Sequence, residues 1–122
     1  MKSSSYARGH WAESIACQYL EAHGFECLVR NYRFKNGEID LILQQADLLI
    51  FVEVRYRSTV YFGSTAESID RRKQQKIIQT AQHYLQQHPA MQNFVCRFDA
   101  IVITGKQISP QLEWIPDAFR VE

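Results

Sequence analysis

The sequence has no long apolar run, little cysteine and little net charge, and each shortage excludes a class of protein. Its longest stretch of consecutive apolar residues, Leu48–Val52, falls far short of the roughly 20 residues that cross a membrane as a helix. The first ten residues have no apolar stretch of the kind that secretory signals carry. The three cysteines, Cys17, Cys27 and Cys96, lack the paired spacing of a disulfide framework or a zinc site. We therefore expect a reduced, cytoplasmic protein without a membrane contact.

The composition is that of a globular protein, and the charge is unevenly distributed. Of 122 residues, 46% are apolar and 22% are charged, which predicts one domain spanning residues 1–122. A net charge of +1 does not by itself attract nucleic acid, but Val54–Lys76 contains six basic and two acidic residues. The candidates for binding backbone phosphates are Arg30, Arg33, Arg57, Arg71 and Arg72. The alternative is that these arginines lie on a solvated surface and bind no ligand.

Helical and strand patterns alternate along the chain in a definite order. Ser3–Ser5 can cap a first helix that runs to about His23. Ser64 and Glu67 form a capping box for a second helix that ends at His88. The predicted strands are Cys27–Phe34, Glu38–Gln44, Leu48–Tyr56, Phe94–Thr104 and Ile108–Trp114. The order α-β-β-β-α-β-β predicts an α/β fold, a mixed β-sheet flanked by helices, with a right-handed crossover between two parallel strands.

Two acids interrupt apolar strands: Asp40 in the second strand and Glu53 in the third. An unpaired carboxylate buried there would cost several kcal/mol, so each should be protonated, paired or bound to a metal. Two of the three short registers for the turn between these strands place both acids on one face, and the third separates them. In the second strand, strict alternation would also put Ile39, Leu41 and Leu43 on one side.

Converging carboxylates with a nearby cation can form a site for Mg²⁺ or Mn²⁺, which take oxygen ligands and keep room for a substrate phosphate. The alternative is a structural salt bridge between these acids and Arg55, which alternates onto the face of Glu53. Glu13 lies at the edge of the apolar stripe of the first helix and can point along the sheet or into solvent. Asp99, in the fourth strand, is best explained by a structural pair with a basic neighbour.

Lys73 continues an apolar stripe on the second helix. The stripe consists of Ala66, Asp70, Lys73, Ile77, Ala81, Tyr84 and His88, at spacings of three and four. Lys73 therefore points towards the sheet. It either reaches the two strand acids or covers apolar surface with its methylene chain.

Several segments together resemble one known family. Glu13, Arg30–Arg33, Gly37–Ile42, Phe51–Arg55 and Arg97–Asp99, in that order, are similar to the YraN family of uncharacterised bacterial proteins. The resemblance spans Gly9 to about Val102. It implies a restriction-endonuclease-like fold of the Holliday-junction-resolvase branch. It also implies that Asp40 and Glu53 bind the metal and that Glu13 is the helix acid.

The sequence departs from this family at Arg55, where the pattern has a lysine. An arginine can hold a phosphate but cannot lose a proton near neutral pH, so it cannot act as a general base. Lys73 could supply the missing amine.

The leading hypothesis is that the protein is a Mg²⁺-dependent endonuclease acting on DNA or RNA. We expect no organic cofactor, and a homodimer is one assembly consistent with the sequence. The alternatives are a nucleic-acid-binding module without catalysis and a protein adaptor.

Overall fold

The computed structural model describes residues 5–57, 69–106 and 108–121, with side chains from residue 9 onward. The helices are α1 (Ser5–Ala22) and α2 (Arg71–Gln87), and a short 3-10 turn follows at Pro89–Met91. The strands are β1 (Glu26–Phe34), β2 (Gly37–Gln45), β3 (Leu48–Arg57), β4 (Val95–Thr104) and β5 (Gln111–Phe119). The order α-β-β-β-α-β-β is therefore confirmed. Among the described residues, neither helix is long and apolar enough to cross a membrane.

The five strands form one mixed sheet in the order β1-β2-β3-β4-β5. The first three strands make an antiparallel meander. Strands β3 and β4 run parallel, and β5 returns antiparallel to β4. Because α2 lies in the connection between the two parallel strands, it crosses over the sheet and packs on one of its faces.

The two helices cover opposite faces of the sheet. On one face, Ala16 and Leu20 of α1 pack with Leu41, Ile50 and Val52. On the other face, Ile77, Ala81 and Tyr84 of α2 pack among a second set of strand residues, which are Ile42, Leu49, Phe51 and Ala100. The centre of the sheet is therefore buried on both sides, as the nearly continuous apolar run in β3 predicts.

The turn between β2 and β3 sets the positions of the two strand acids. Leu41 pairs with Val52, and the pairing continues to Gln45 and Leu48, so the turn itself is only Ala46 and Asp47. Ala46 takes the left-handed conformation, with a φ of 53°, that such short hairpin turns require. Extended by one residue beyond Leu41 and Val52, this register places Asp40 opposite Glu53.

The prediction of a single face for Ile39, Leu41 and Leu43 is wrong. Leu41 and Leu43 lie on the α1 face, but Ile39 lies on the α2 face. Beside this point on the neighbouring strand, between the pairs Arg30–Leu41 and Tyr32–Ile39, Asn31 has a left-handed φ of 58°. The break in alternation and the left-handed residue thus lie at the same level of the sheet. The break falls in β2 at Asp40, between Ile39 and Leu41.

Two predicted boundaries also need correction. Ser64 and its capping box lie outside the described residues, but Ile69 and Asp70 are not helical, so the helix ending at Gln87 does not reach back to Ser64. It begins instead at Arg71, where the Asp70 side chain accepts a hydrogen bond from the backbone N–H of Lys73 at 2.8 Å. The last strand extends to Phe119 rather than ending at Trp114.

Candidate functional site

Asp40 and Glu53 meet where β2 and β3 separate. The Oδ2 atom of Asp40 accepts a hydrogen bond from the backbone N–H of Val54 at 2.8 Å, in the place where a carbonyl would continue the ladder. Glu53, opposite Asp40 in the extended register, is close enough for its charge to act on the Asp40 carboxyl group. Glu53 is only 6% exposed. The strand break at Asp40 thus brings two carboxyl groups together at the edge of the core.

The pKa of Asp40 is raised from 3.8 to about 8. Removal from water is the main cause, and the charge of Glu53 adds to it. The N–H of Val54 opposes the rise, while Glu13 contributes a further small increase. Asp40 therefore keeps its proton at neutral pH.

Glu53 is held by two cations from different elements. The Nζ atom of Lys73, on α2, lies 2.7 Å from Glu53 Oε2, and the Nε atom of Arg55 lies 3.5 Å from the same oxygen. The Lys73 side chain is 47% exposed, so its ammonium reaches a buried carboxylate from the solvent side. Lys73 therefore has the position that its helical stripe predicts, and its catalytic role stays a prediction.

Glu13 is near the pair but has partners of its own. Its Oε1 atom accepts a hydrogen bond from Asn31 Nδ2 at 3.1 Å and lies 3.8 Å from Arg30 Nη2. Across residues 5–57, 69–106 and 108–121, no three His, Cys, Asp or Glu side chains are close enough together to hold a metal ion. The structure thus supplies two adjacent carboxylates, with the helix acid set apart from them.

A cleft of about 550 Å³ opens onto the carboxylate pair. It lies between α2 and the start of β2, and we call it the carboxylate cleft. Its lining consists of Asn36, Gly37, Glu38, Asp40, Glu53, Asp70, Arg72, Lys73, Lys76 and Ile77. Three of these residues are cations and all three come from α2. An anionic ligand entering the cleft would therefore meet the helix cations on its way to the two carboxyl groups.

The five arginines predicted to bind phosphate do not form one surface. Arg30 is tied to α1, where it donates to Ser14 Oγ at 3.1 Å and to the His10 carbonyl at 3.3 Å. Arg33 is exposed near Glu38, with 3.5 Å between its Nε and Oε2 of that residue. Arg57 donates to the Tyr56 carbonyl at 3.1 Å. Of the others, Arg72 lines the carboxylate cleft and Arg71 a second cleft.

Sequence reasoning missed two residues of this region. Lys76 lines the cleft three residues after Lys73. Residues three apart on a helix lie on the same face, so the sequence could have placed Lys76 beside Lys73. Asn31 orients Glu13, and it lies at the level of the strand break beside Asp40. A short polar residue that tolerates the left-handed conformation leaves only a weak signal inside a strand.

Asp99 has a structural role and does not belong to the candidate site. It is 0% exposed and accepts hydrogen bonds from Arg97 Nε and Nη2, both at 2.9 Å. It also accepts from Trp114 Nε1 and from the backbone N–H of Asp117, both at 3.0 Å. The prediction of a structural pair with a basic neighbour is confirmed.

The fold and the site define a class of protein: an α/β sandwich with two adjacent carboxyl groups, approached by a lysine, in a cleft lined by both acids and cations. The chain belongs to the uncharacterised protein family UPF0102, whose model matches residues 12–103. It is 46% identical over 115 residues to a UPF0102 protein of Nitrosococcus oceani, covering 94% of this chain and 93% of the relative. It is 50% identical over 111 residues to one of Saccharophagus degradans, covering 91% of each. The predicted family resemblance is therefore confirmed.

Proposed function

We propose that the protein hydrolyses phosphodiester bonds in nucleic acid with a divalent cation held by Asp40 and Glu53. The observation that carries the proposal is the pairing of these two carboxyl groups at an open cleft. Adjacent carboxylates repel each other, and a buried one loses the solvation of water. A purely structural role would be met better by a satisfied pair such as Asp99 and Arg97.

The residues present fit such a cation. Mg²⁺ is commonly bound by one or two carboxylates, with waters and substrate phosphates as its other ligands. Asp40 and Glu53 offer adjacent oxygens, and a divalent charge would favour loss of the proton from Asp40. When bound, the cation would polarise the phosphodiester and lower the pKa of an attacking water.

The cations around the pair would act on the substrate. Lys73 Nζ lies within 2.7 Å of Glu53, so it is placed to stabilise negative charge that develops on a phosphate beside that carboxylate. Arg55 adds a permanent charge and hydrogen-bond donors, but no proton transfer near neutral pH. Arg72 and Lys76, farther along the cleft wall, would hold flanking phosphates.

The charge balance at Glu53 also favours a second function, namely nucleic-acid binding without catalysis. With Lys73 at 2.7 Å and Arg55 at 3.5 Å, Glu53 is already neutralised in the absence of a metal ion. A protein of this kind would bind nucleic acid without Mg²⁺, and its binding would persist in a Glu53→Ala variant.

Cleavage assays distinguish these functions. Purified protein is mixed with single-stranded, duplex and four-way branched DNA, and with RNA, in Mg²⁺, Mn²⁺ or EDTA. We expect cutting in either metal, none in EDTA and none by Glu53→Gln, whereas Asp47→Asn in the exposed β2–β3 turn cuts normally. Binding without cutting would overturn the nuclease proposal in favour of the second function, and neither binding nor cutting would overturn both and favour a protein adaptor.

A Lys73→Met variant tests the role of the helix lysine. Methionine keeps most of the methylene chain and removes the charge, so we expect kcat to fall about 100-fold while nucleic-acid binding weakens only slightly. Lys106→Met, an exposed lysine that lines neither cleft, is the matched control. Unchanged kcat in Lys73→Met would exclude a catalytic role for this residue.

A further inference from the structure

The outer face of α2 has an unusual composition that the carboxylate cleft does not explain. Across its 17 residues, the helix carries four cations and six glutamines and no acidic residue. Exposed helices of globular proteins normally mix both signs of charge. The cations Lys73 and Lys76 face the carboxylate cleft, but most of the glutamines do not line it.

These glutamines line a second cleft, which we call the glutamine cleft. It has a volume of about 430 Å³ and lies between α2 and the residues that follow β5. Its polar lining includes Arg71, Gln75, Gln79, Gln82 and Arg120, and its described lining contains no acid. Amide and guanidinium groups are donors that fit phosphate oxygens, and amides also fit the edges of bases.

The two clefts lie on opposite sides of α2. At about 100° per residue, the helix residues that line the two clefts differ by nearly half a turn in their mean direction. Along α2, the lining of the glutamine cleft begins at Arg71 and that of the carboxylate cleft begins at the next residue, Arg72. The clefts therefore approach each other at the N-terminal end of α2, and a polymer passing over that end could contact both.

Arg120 is held in place at the far wall of the glutamine cleft. Its Nε and Nη2 atoms donate to Asp117 Oδ2 at 2.9 and 2.6 Å. This pair fixes one edge of the guanidinium group, which has five N–H donors in all. Arg71 also lines this cleft, and because the described lining has no acid, the charge of Arg71 is complementary to a polyanion.

We propose that the glutamine cleft is a binding track for the sugar–phosphate backbone of nucleic acid beyond the reacting bond. The inference rests on the proposed function, because nucleic acid is the substrate class of the carboxylate cleft. Arg71 contacts a phosphate by charge, while Gln75, Gln79 and Gln82 donate side-chain N–H groups along the same strand. Long substrates therefore bind more tightly than short ones.

Equilibrium binding in EDTA tests the track without any need for cleavage. Fluorescence anisotropy is measured with a long labelled DNA duplex and with a labelled dinucleotide, over a series of salt concentrations. For the duplex, we expect Arg71→Gln to weaken binding several-fold and to reduce the salt slope by about one. The double variant Gln79→Glu and Gln82→Glu should weaken duplex binding about tenfold or more, because it adds like charge to the track. Dinucleotide binding should not change.

The double variant Gln86→Glu and Gln87→Glu is the matched control, since it makes the same charge change on α2 outside both linings. The track is overturned if the cleft variants bind duplex as tightly as this control, or if the unaltered protein does not bind duplex at all. Duplex binding that is sensitive to the cleft variants, in a protein that never cuts, would support the track and refute only the nuclease. Cutting of nucleic acid, together with duplex binding that the cleft variants do not change, would support the nuclease and refute the track.

Discussion

At the scale of single residues, acids within apolar strands have two different fates in this protein. Asp99 is satisfied by four hydrogen bonds. Asp40 instead lies beside another acid and has a pKa raised to about 8. The sequence alone identifies both residues as anomalies, and for Asp99 it also predicts the basic neighbour, because Arg97 is two residues away on the same strand. The surroundings of Asp40 are harder to predict, because they come from a neighbouring strand, its backbone and α2.

The raised pKa of Asp40 predicts that stability falls with rising pH. Between about pH 4 and pH 8 the folded protein keeps a proton that the unfolded chain has lost, so the free energy of unfolding decreases through that window. Asp40→Asn mimics the protonated acid and can still accept from Val54. We expect it to flatten the pH profile and to raise stability at pH 8 by at least about 1 kcal/mol.

Chemical denaturation of both proteins at several pH values measures this effect. Asp47→Asn, the same change at an exposed turn position, should leave the pH profile as it is. Parallel profiles for the Asp40→Asn protein and the unaltered one would contradict a protonated Asp40.

Removing Asp99 should destabilise the fold severely. Asp99→Ala leaves the Arg97 guanidinium and the Trp114 N–H without their acceptor inside the protein, and breaking such a buried pair costs about 3–5 kcal/mol. Arg120→Ala removes an exposed pair with Asp117 instead and should change stability little. Equal denaturation midpoints for the two variants would show that the buried network is not needed for stability.

At the scale of elements, the site depends on how closely α2 approaches the start of β2. Gly37 permits this approach, because a Cβ at that position would overlap Thr80 Oγ1 and come within 2.8 Å of the Lys76 carbonyl oxygen. The contact places the α2 cations beside Asp40. Periodicity predicts both elements, but it contains no information on the distance between them.

Gly37→Ala should therefore destabilise the protein by about 1–3 kcal/mol, as overpacking does. Thr80→Ala in the same chain removes one of the two obstructing atoms and should recover part of the loss. Thermal denaturation of the two variants measures both effects. A Gly37→Ala protein as stable as the unaltered one would mean that the helix can move away from the strand without cost.

The break in the alternation of β2 is the feature of the elements that the sequence pattern does not predict. Strict alternation predicts one face for Ile39 and Leu41, yet they lie on opposite faces, at the level where the neighbouring strand has the left-handed Asn31. A break of this kind depends on pairing between strands. The same limit applies to the β2–β3 register, for which the sequence leaves three short options open.

At the scale of the whole molecule, the sequence predicts the order of elements, but not the distribution of charge. The hydrophobic periodicity is strong in α2, which buries one apolar face against the sheet, and the central strands are apolar on both faces. The predicted phosphate-binding arginines, by contrast, are spread over several surfaces. Arg30 illustrates the physical reason, since its proximity in sequence to Arg33 says nothing of its contact with Ser14.

The most direct test of the carboxylate pair is Mn²⁺ binding, measured by isothermal titration calorimetry on the full chain without nucleic acid. We predict one saturable site per chain near pH 8, lost in Asp40→Asn and retained in Asp47→Asn. The loss should occur without loss of fold, because Asp40→Asn is expected to be the more stable protein. Mn²⁺ binding that is absent from the unaltered protein, or equal in both variants, would contradict a metal site at Asp40 and Glu53.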